Sequence, residues 1–388
     1  MLSVVPQCRV LLLLVLATIP LCGQPPALTA TIQRGLILPV EPFLRGENTL
    51  GVPLRRFTTY SLKFDRHTAG TREWEVRHGR PQTGFGLTYF QLPSPEELGR
   101  PVAVYRYFRA PLGSVAGRLT LDYSAEIGLA TGWRRFDLTA NPFNKLFSTR
   151  STAYIFLGIG ARLPLGEHWT TYLDLGLSHF SNGNFKRPNA GLNALSLGLG
   201  VHYSPVRRSA VPHPTLPAAW KPYTEWQLYL HGGTEKNLYY PAGLPAAEQN
   251  RGLTHPLFGL GLVRSRRMSF KSSLGAGLSM WYRSGGNTEV AVTPSGRLRR
   301  LDPGFAAENL RIGVFPTYTL HFNRFAALLQ AEYLLLDPTT AHGLRRFYQK
   351  VGLRYGVSER LSLAVVVGAR QFSVAEFVEW RVGWNWKS

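Results

Sequence analysis

The stretch RLTLDYSAEIGL, Arg118 to Leu129, decides the fold class. In an extended chain Leu119, Leu121, Tyr123, Ala125, Ile127 and Leu129 fall on one face. Arg118, Thr120, Asp122, Ser124, Glu126 and Gly128 fall on the other. A period of two predicts a strand with one apolar side. That side packs on a second sheet in a soluble sandwich, or meets lipid in a membrane barrel. Asp122 and Glu126 sit mid-strand on the opposite face, where a wet barrel interior hydrates them.

The pattern continues outward from this stretch. Ala153 to Ala161, Leu173 to Leu177 and Leu195 to Val201 alternate in the same way. So do Leu274 to Met280, Leu310 to Val314 and, less cleanly, Leu361 to Val367. Val378, Trp380, Val382, Trp384 and Trp386 share the apolar face of the last segment. The segments reach the ~10 residues that a tilted membrane strand needs. Aromatics gather near their ends, as in interfacial girdles. The expected fold is all-β, a transmembrane antiparallel up-and-down barrel of about 14–16 strands. Eight strands fall between Leu28 and Ser204, and eight between Tyr223 and Trp386. Residues 205–222, PVRRSAVPHPTLPAAWKP, read as a Pro-rich linker or long turn. Residues 24–204 and 223–388 share pattern and composition, so one barrel holding both is expected. The alternative is an eight-stranded barrel plus an accessory β region.

Composition agrees. Among 388 residues charged side chains make up 17%, while 39 are glycine and 12% are aromatic. Disordered chains are less apolar than this. Past the N-terminus no run approaches the ~20 apolar residues of a spanning helix. Residues 1–23, MLSVVPQCRVLLLLVLATIPLCG, read as a secretory signal peptide, with Arg9 before the apolar run Val10–Ala17. Leu21 before Cys22 argues against a lipoprotein. Cys8 and Cys22 are the two cysteines. The mature chain would then have no disulfide, no thiolate nucleophile and no cysteine metal site. The histidines show no metal-ligand spacing, and no phosphate-cradling glycine loop or other cofactor motif appears.

The chemistry concentrates in LDLGLSHFSNGNFKRPNAGLNALSLGLG, Leu173 to Gly200, which reads strand, turn, strand. His179 and Ser181 continue the face of Leu173, Leu175 and Leu177. Asn193 continues the face of Leu195, Leu197 and Leu199. A hairpin centred near Arg187 would set Ser181 opposite Asn193. Three polar groups then meet on an otherwise apolar wall, where each costs free energy. Histidine suits the removal of a serine proton near neutral pH. A third group should hold the imidazole tautomer, usually a carboxylate. Asn193 can orient the ring but carries no charge. Backbone N–H groups of Asn182 to Asn184 are placed to hold an oxyanion. The same three residues also fit an interfacial strand end without catalysis.

The string SHFSNGNFKRPNAGLN, Ser178 to Asn193, resembles the PagL family of outer-membrane lipid A 3-O-deacylases, also called acyloxyacyl hydrolase-like proteins. Weaker likeness runs through TREWEVRHGRPQTGFGLTYF (Thr71 to Phe90) and TANPFNK (Thr139 to Lys145). It reaches Tyr203 and leaves the second half uncovered. The resemblance implies a barrel that removes an ester-linked acyl chain from lipid A or lipopolysaccharide in the outer membrane of a Gram-negative-type bacterium. It implies His179 as general base, Ser181 as nucleophile, Asn182 and Gly183 at the oxyanion turn, and Asn189 as a second oxyanion asparagine. Asn193 stands where the family's best-known member carries its acid.

The net charge of +21 is spread as short pairs such as Arg134-Arg135, Lys186-Arg187 and Arg266-Arg267. Lys186 and Arg187 follow the His-Ser pair and suit lipid phosphates, though generic interfacial anchoring explains any single pair. Nucleic-acid binding fits the charge but not the signal peptide or the lipid-facing strands. The rival to an esterase is a non-catalytic barrel serving as a pore, scaffold or binding protein.

Overall fold

A computed structural model describes residues 26–115, 118–207, 218–245, 248–249, 252–285, 288–301, 305–338, 346–370 and 374–388. The signal-peptide segment 1–23 lies outside them, as does most of the Pro-rich segment 205–222. The chain forms two compact units, each built on a closed antiparallel barrel of eight strands.

The first barrel runs β1 (Ala27–Ile37), β2 (Arg56–His67), β3 (Gln82–Gln91), β4 (Gly99–Val115), β5 (Leu119–Trp133), β6 (Ser151–Pro164), β7 (Trp169–Ser181) and β8 (Leu192–Tyr203). Each strand pairs with the next, and β1 pairs with β8 from Leu28↔Tyr203 to Ile37↔Ala194. The second runs β9 (Tyr223–Asn237), β10 (Leu253–Arg267) and β11 (Ser272–Arg283). A separate hairpin follows, β12 (Val290–Val292) with β13 (Leu298–Arg300). Then come β14 (Leu310–Phe322), β15 (Phe325–Leu336), β16 (Phe347–Gly356), β17 (Leu361–Arg370) and β18 (Val374–Lys387). β18 closes on β9, from Phe377↔Glu235 to Lys387↔Glu225.

The sixteen barrel strands match the count expected from alternation. The single closure does not: residues 223–388 make their own barrel and add nothing to the first. Alternation fixes which way a side chain faces but not which strand pairs with the first one. Every barrel must pair its edges, and eight strands enclose a space that side chains can fill.

Both barrels are apolar outside and polar inside. Leu173, Leu175, Leu177, Leu195, Leu197 and Leu199 are exposed, as are Leu228, Leu230, Leu274, Leu278, Val382 and Trp384. Inside the first barrel Arg109 makes a two-pronged pair with Asp174, at 2.9 and 2.7 Å. Lys63 Nζ lies 2.5 Å from Glu126 Oε1, and the Tyr154 hydroxyl donates to Glu126 Oε2 at 2.7 Å. Inside the second, Lys350 pairs with Glu332 at 2.6 Å, and Arg381 and His231 converge on Glu379. An apolar wall around a charged, filled interior is the arrangement of a membrane-spanning barrel.

In the first barrel one end carries the short connections after β4 and β6. The other carries residues 38–55, 92–98, 134–150 and 182–191. The exception at the short end is residues 68–81, which form a helical turn (Glu73–Arg77). His78 follows it, fully buried, with Nδ1 2.9 Å from the Tyr123 hydroxyl on the outward face of β5.

The Arg109–Asp174 pair gives a stability test. Asp174→Ala strands a buried guanidinium and should cost about 3–5 kcal/mol, whereas Arg109→Met with Asp174→Leu should cost far less. Urea unfolding followed by heat-modifiable gel mobility measures both. Equal losses for the single and double variants would refute this account of the interior.

Candidate active site

The site grows from the end of β7. Phe180 points inward and is 1% exposed. Its ring meets Phe90 edge-on at 5.0 Å, Trp133 at 5.1 Å and Tyr154 at 5.3 Å. Its neighbours His179 and Ser181 therefore point outward, in line with Leu173, Leu175 and Leu177. His179 pairs in register with Ile155 of β6 on one side and Asn193 of β8 on the other. Ser181 pairs with Ala153. The expected pairing of Ser181 with Asn193 is thus corrected: His179 is the residue opposite Asn193. The hairpin is centred on Lys186 rather than Arg187, which shifts the partner by two residues and leaves the faces unchanged.

The three side chains form a continuous array. His179 Nε2 lies 3.1 Å from Ser181 Oγ, and His179 Nδ1 lies 2.6 Å from Asn193 Oδ1. With Oδ1 as acceptor, Nδ1 carries the proton. Nε2 then presents its lone pair to the serine hydroxyl. Asp174 faces the interior on Arg109, as its place in the alternation predicts.

The turn after Ser181 is left-handed at Gly183 (φ 66°) and Asn184 (φ 65°). The Asn182 backbone N–H donates to Asn189 Oδ1 at 3.0 Å. Asn189 Nδ2 is buried with no hydrogen-bond partner among the described residues. Lys186 is exposed, and Arg187 Nε donates to Asn184 Oδ1 at 3.0 Å. Residues Gly183–Pro188 group with the second compact unit.

Several supporting residues had no role assigned from sequence. Asn182 Nδ2 donates to Ser148 Oγ at 3.1 Å. Gly191 (φ 72°) comes so close that a Cβ there would lie 2.9 Å from the Phe180 carbonyl oxygen and 3.7 Å from His179 Cε1. The backbone amides of Ala190 and Gly191 donate to the carbonyls of Lys145 and Leu146, at 3.1 and 3.2 Å. Those carbonyls belong to the connection 134–150, which contains TANPFNK. Asn141 and Asn144 tie that loop to the Glu97 carbonyl at 2.9 and 2.7 Å, and Asn144 Oδ1 accepts from Leu146 N–H. Asp137 starts the loop. The N–H groups of Ala140 and Thr139 hold its carboxyl below the usual carboxylate range. Glu97 Oε1 in turn accepts from Thr49. All four connections at this end are therefore linked. The spacing of Asn141 and Asn144 in a Pro-containing loop was the available signal.

Fold and array together define a class: a membrane barrel whose histidine and serine are set into the outer wall rather than the lumen. Residues 58–202 match the family described as Lipid A 3-O-deacylase (PagL), and residues 224–388 match the one described as Acyloxyacyl hydrolase, C-terminal domain. The chain belongs to this PagL-type, acyloxyacyl hydrolase-like family, and the likeness extends beyond Tyr203 through residues 224–388. No curated protein matches. Among solved structures, the outer membrane enzyme PagL is similar at 14% identity and a TM-score of 0.31, over 44% of this chain and 97% of that one. The outer membrane protein Omp33 of Acinetobacter baumannii is similar at 7% identity and a TM-score of 0.16, over 94% and 100% of the two chains. The siderophore receptor PirA of Pseudomonas aeruginosa gives 11%, 0.20, 94% and 81%.

Asn144 tests the linked loops. Asn144→Ala removes the side-chain partners of the Arg134 carbonyl and the Leu146 N–H and leaves the Glu97 carbonyl to Asn141 alone, at about 1–3 kcal/mol. Loop opening should rise roughly tenfold while the barrel stays folded. Trypsin cleavage near Arg134, Arg135, Lys145 or Arg150 in the folded protein reads that opening. An unchanged digestion rate would remove Asn144 from its role.

Proposed function

We propose that this chain is an outer-membrane serine esterase that removes an ester-linked acyl chain from lipid A. The observation that carries the proposal is the Ser181–His179–Asn193 array on the outward wall, at the end of the barrel with the long connections. External loops of such barrels are the long ones, so the array lies level with the outer leaflet, where lipid A resides. Family membership supplies the substrate class.

In the proposed reaction Ser181 Oγ attacks the ester carbonyl carbon as its proton passes to His179 Nε2. The tetrahedral oxyanion takes hydrogen bonds from the turn. Asn189 Nδ2, buried without a partner, is the best-placed donor by its chemistry. The Asn182 N–H reaches the oxyanion only by leaving Asn189 Oδ1. Collapse expels the sugar hydroxyl, protonated by His179, and leaves an acyl-serine. Water, deprotonated by His179, then releases the fatty acid. Asn193 holds the ring in its working tautomer throughout. Lys186 and Arg187, next along the chain, are the candidate cations for the substrate's phosphates.

Ser181→Ala should abolish deacylation, seen by mass spectrometry of lipid A from a host expressing the chain, with barrel assembly unchanged. Lipid A left intact by the wild type, with the barrel folded in the outer membrane, would refute the proposal. Asn193→Glu adds the charge that stabilises an imidazolium, and should raise kcat about tenfold or more. A fall in kcat would mean that Asn193 serves some other end than orienting His179.

A further inference from the structure

The second barrel carries its own surface feature, which the esterase proposal does not use. Its short turns, residues 268–271, 323–324 and 357–360, lie at one end. The strand ends that flank the longer connections, Asn237 and Leu253, Arg283 and Leu310, and Leu336 and Phe347, lie at the other. Short turns are periplasmic in such barrels, so this rim faces the inner leaflet.

On the outward face at this rim a row crosses three strands. Arg264 of β10 pairs in register with Trp226 of β9, and Trp226 with Trp386 of β18. The two indoles stack at 6.4 Å and 7°, and the Arg264 guanidinium lies 5.8 Å from the Trp226 ring. Arg266 follows Arg264 on the same face, and both are exposed. Across β18, Arg360 is exposed and sits 5.9 Å from the Trp384 ring. The acids in the rim segments are Glu225 and Glu359. Glu225 lines an interior cavity with Arg354, which leaves Glu359 outside as the acid beside Arg360.

We propose that this row is a binding surface for anionic phospholipids of the inner leaflet. The guanidinium groups of Arg264, Arg266 and Arg360 hold head-group phosphates. The indoles of Trp226, Trp384 and Trp386 seat the glycerol and upper acyl region at the interface. Rings that stack on guanidinium groups also hold them in the plane of the wall. Charge complementarity selects a phosphatidylglycerol-like lipid over a zwitterionic one.

The full chain in nanodiscs of phosphatidylethanolamine and phosphatidylglycerol tests this. After stepwise delipidation, mass spectrometry of retained lipid should show phosphatidylglycerol enriched at least about fivefold over bulk, the factor that one surface cation contributes. Arg264→Gln with Arg266→Gln and Arg360→Gln should return the ratio to bulk, while Arg299→Gln with Arg300→Gln at the opposite end should not. Heat-modifiable mobility checks folding, and the single replacements carry the test if the triple variant fails to assemble. A wild-type shell at bulk ratio, or enrichment that survives the triple variant, overturns the proposal. So does a parallel nanodisc with lipid A in place of phosphatidylglycerol, if lipid A alone is retained through these arginines.

Discussion

The burial of one ring, Phe180, governs the site. Rotating β7 by one residue would place Phe180 against lipid and drive His179 and Ser181 into the aromatic packing of Phe90, Trp133 and Tyr154. Phenylalanine burial contributes roughly 1.5–3 kcal/mol, and an unpaired hydroxyl in such a core costs a similar amount. Both terms favour the same face. The outward aim of the pair is therefore a consequence of core packing and does not depend on the loops. Strand period then sets the spacing: residues two apart on one face bring Ser181 Oγ within 3.1 Å of Nε2.

What the strand cannot fix is the turn, and here the four linked connections matter. A loop of this length would otherwise sample many states. Instead Lys145 and Leu146 receive the amides of Ala190 and Gly191, and Asn141 and Asn144 bind Lys145 and Leu146's loop to the Glu97 carbonyl. Asparagine suits this task because one side chain donates twice and accepts as well. Asn144 does so with no solvent access. The result holds Asn182 and Asn189 beside the end of β7, which is the preorganisation that the proposed oxyanion site requires. Gly191 is part of the same requirement, since a side chain there would press on the Phe180 carbonyl and the His179 ring.

Face assignments were legible in the sequence because they follow from a strict period. Leu121 to Leu129, Leu173 to Ser181 and Asn193 to Val201 all face as alternation predicts, while Arg118 falls in the turn before β5 and is exposed. Closure was not legible. Eight strands before Pro205 and eight after Pro222 fit one large barrel or two small ones equally well by pattern, and the choice rests on whether β1 meets β8. The interior held a clue. Tyr105, Tyr107, Tyr154 and Phe156 face inward with Lys63 and Arg109, a set of large side chains that fills a narrow lumen and would leave a wide one wet. The hairpin centre was missed by one residue because the connection contains three left-handed positions, Gly183, Asn184 and Gly191, and turns of that kind follow no simple symmetry. The spacing of Asn141 and Asn144 marks a tied loop, but the Glu97 carbonyl they hold is far away in sequence, and no local pattern names it.

For the proposed esterase, the neutral residue at position 193 sets two effects against each other. A carboxylate on the outer wall must be desolvated against lipid, at a cost that grows with depth. It also helps only once the imidazole is protonated, in the transition state. An asparagine meets the ground-state need, a 2.6 Å acceptor for Nδ1–H, without placing charge on an apolar surface. What it gives up is the Coulombic stabilisation of the imidazolium. With a low dielectric around the pair that loss is larger than it would be in water. The two effects oppose each other through depth. Near the rim, where hydration lowers the cost of a carboxylate, an acid gains more than it loses. Deeper in the wall the amide has the advantage. Position 193 sits at the second residue of β8, opposite the third-from-last residue of β7. That is close to the rim, so the balance there turns on hydration of the wall around Ile155 and Leu195 rather than on the geometry of the array, which is already in place.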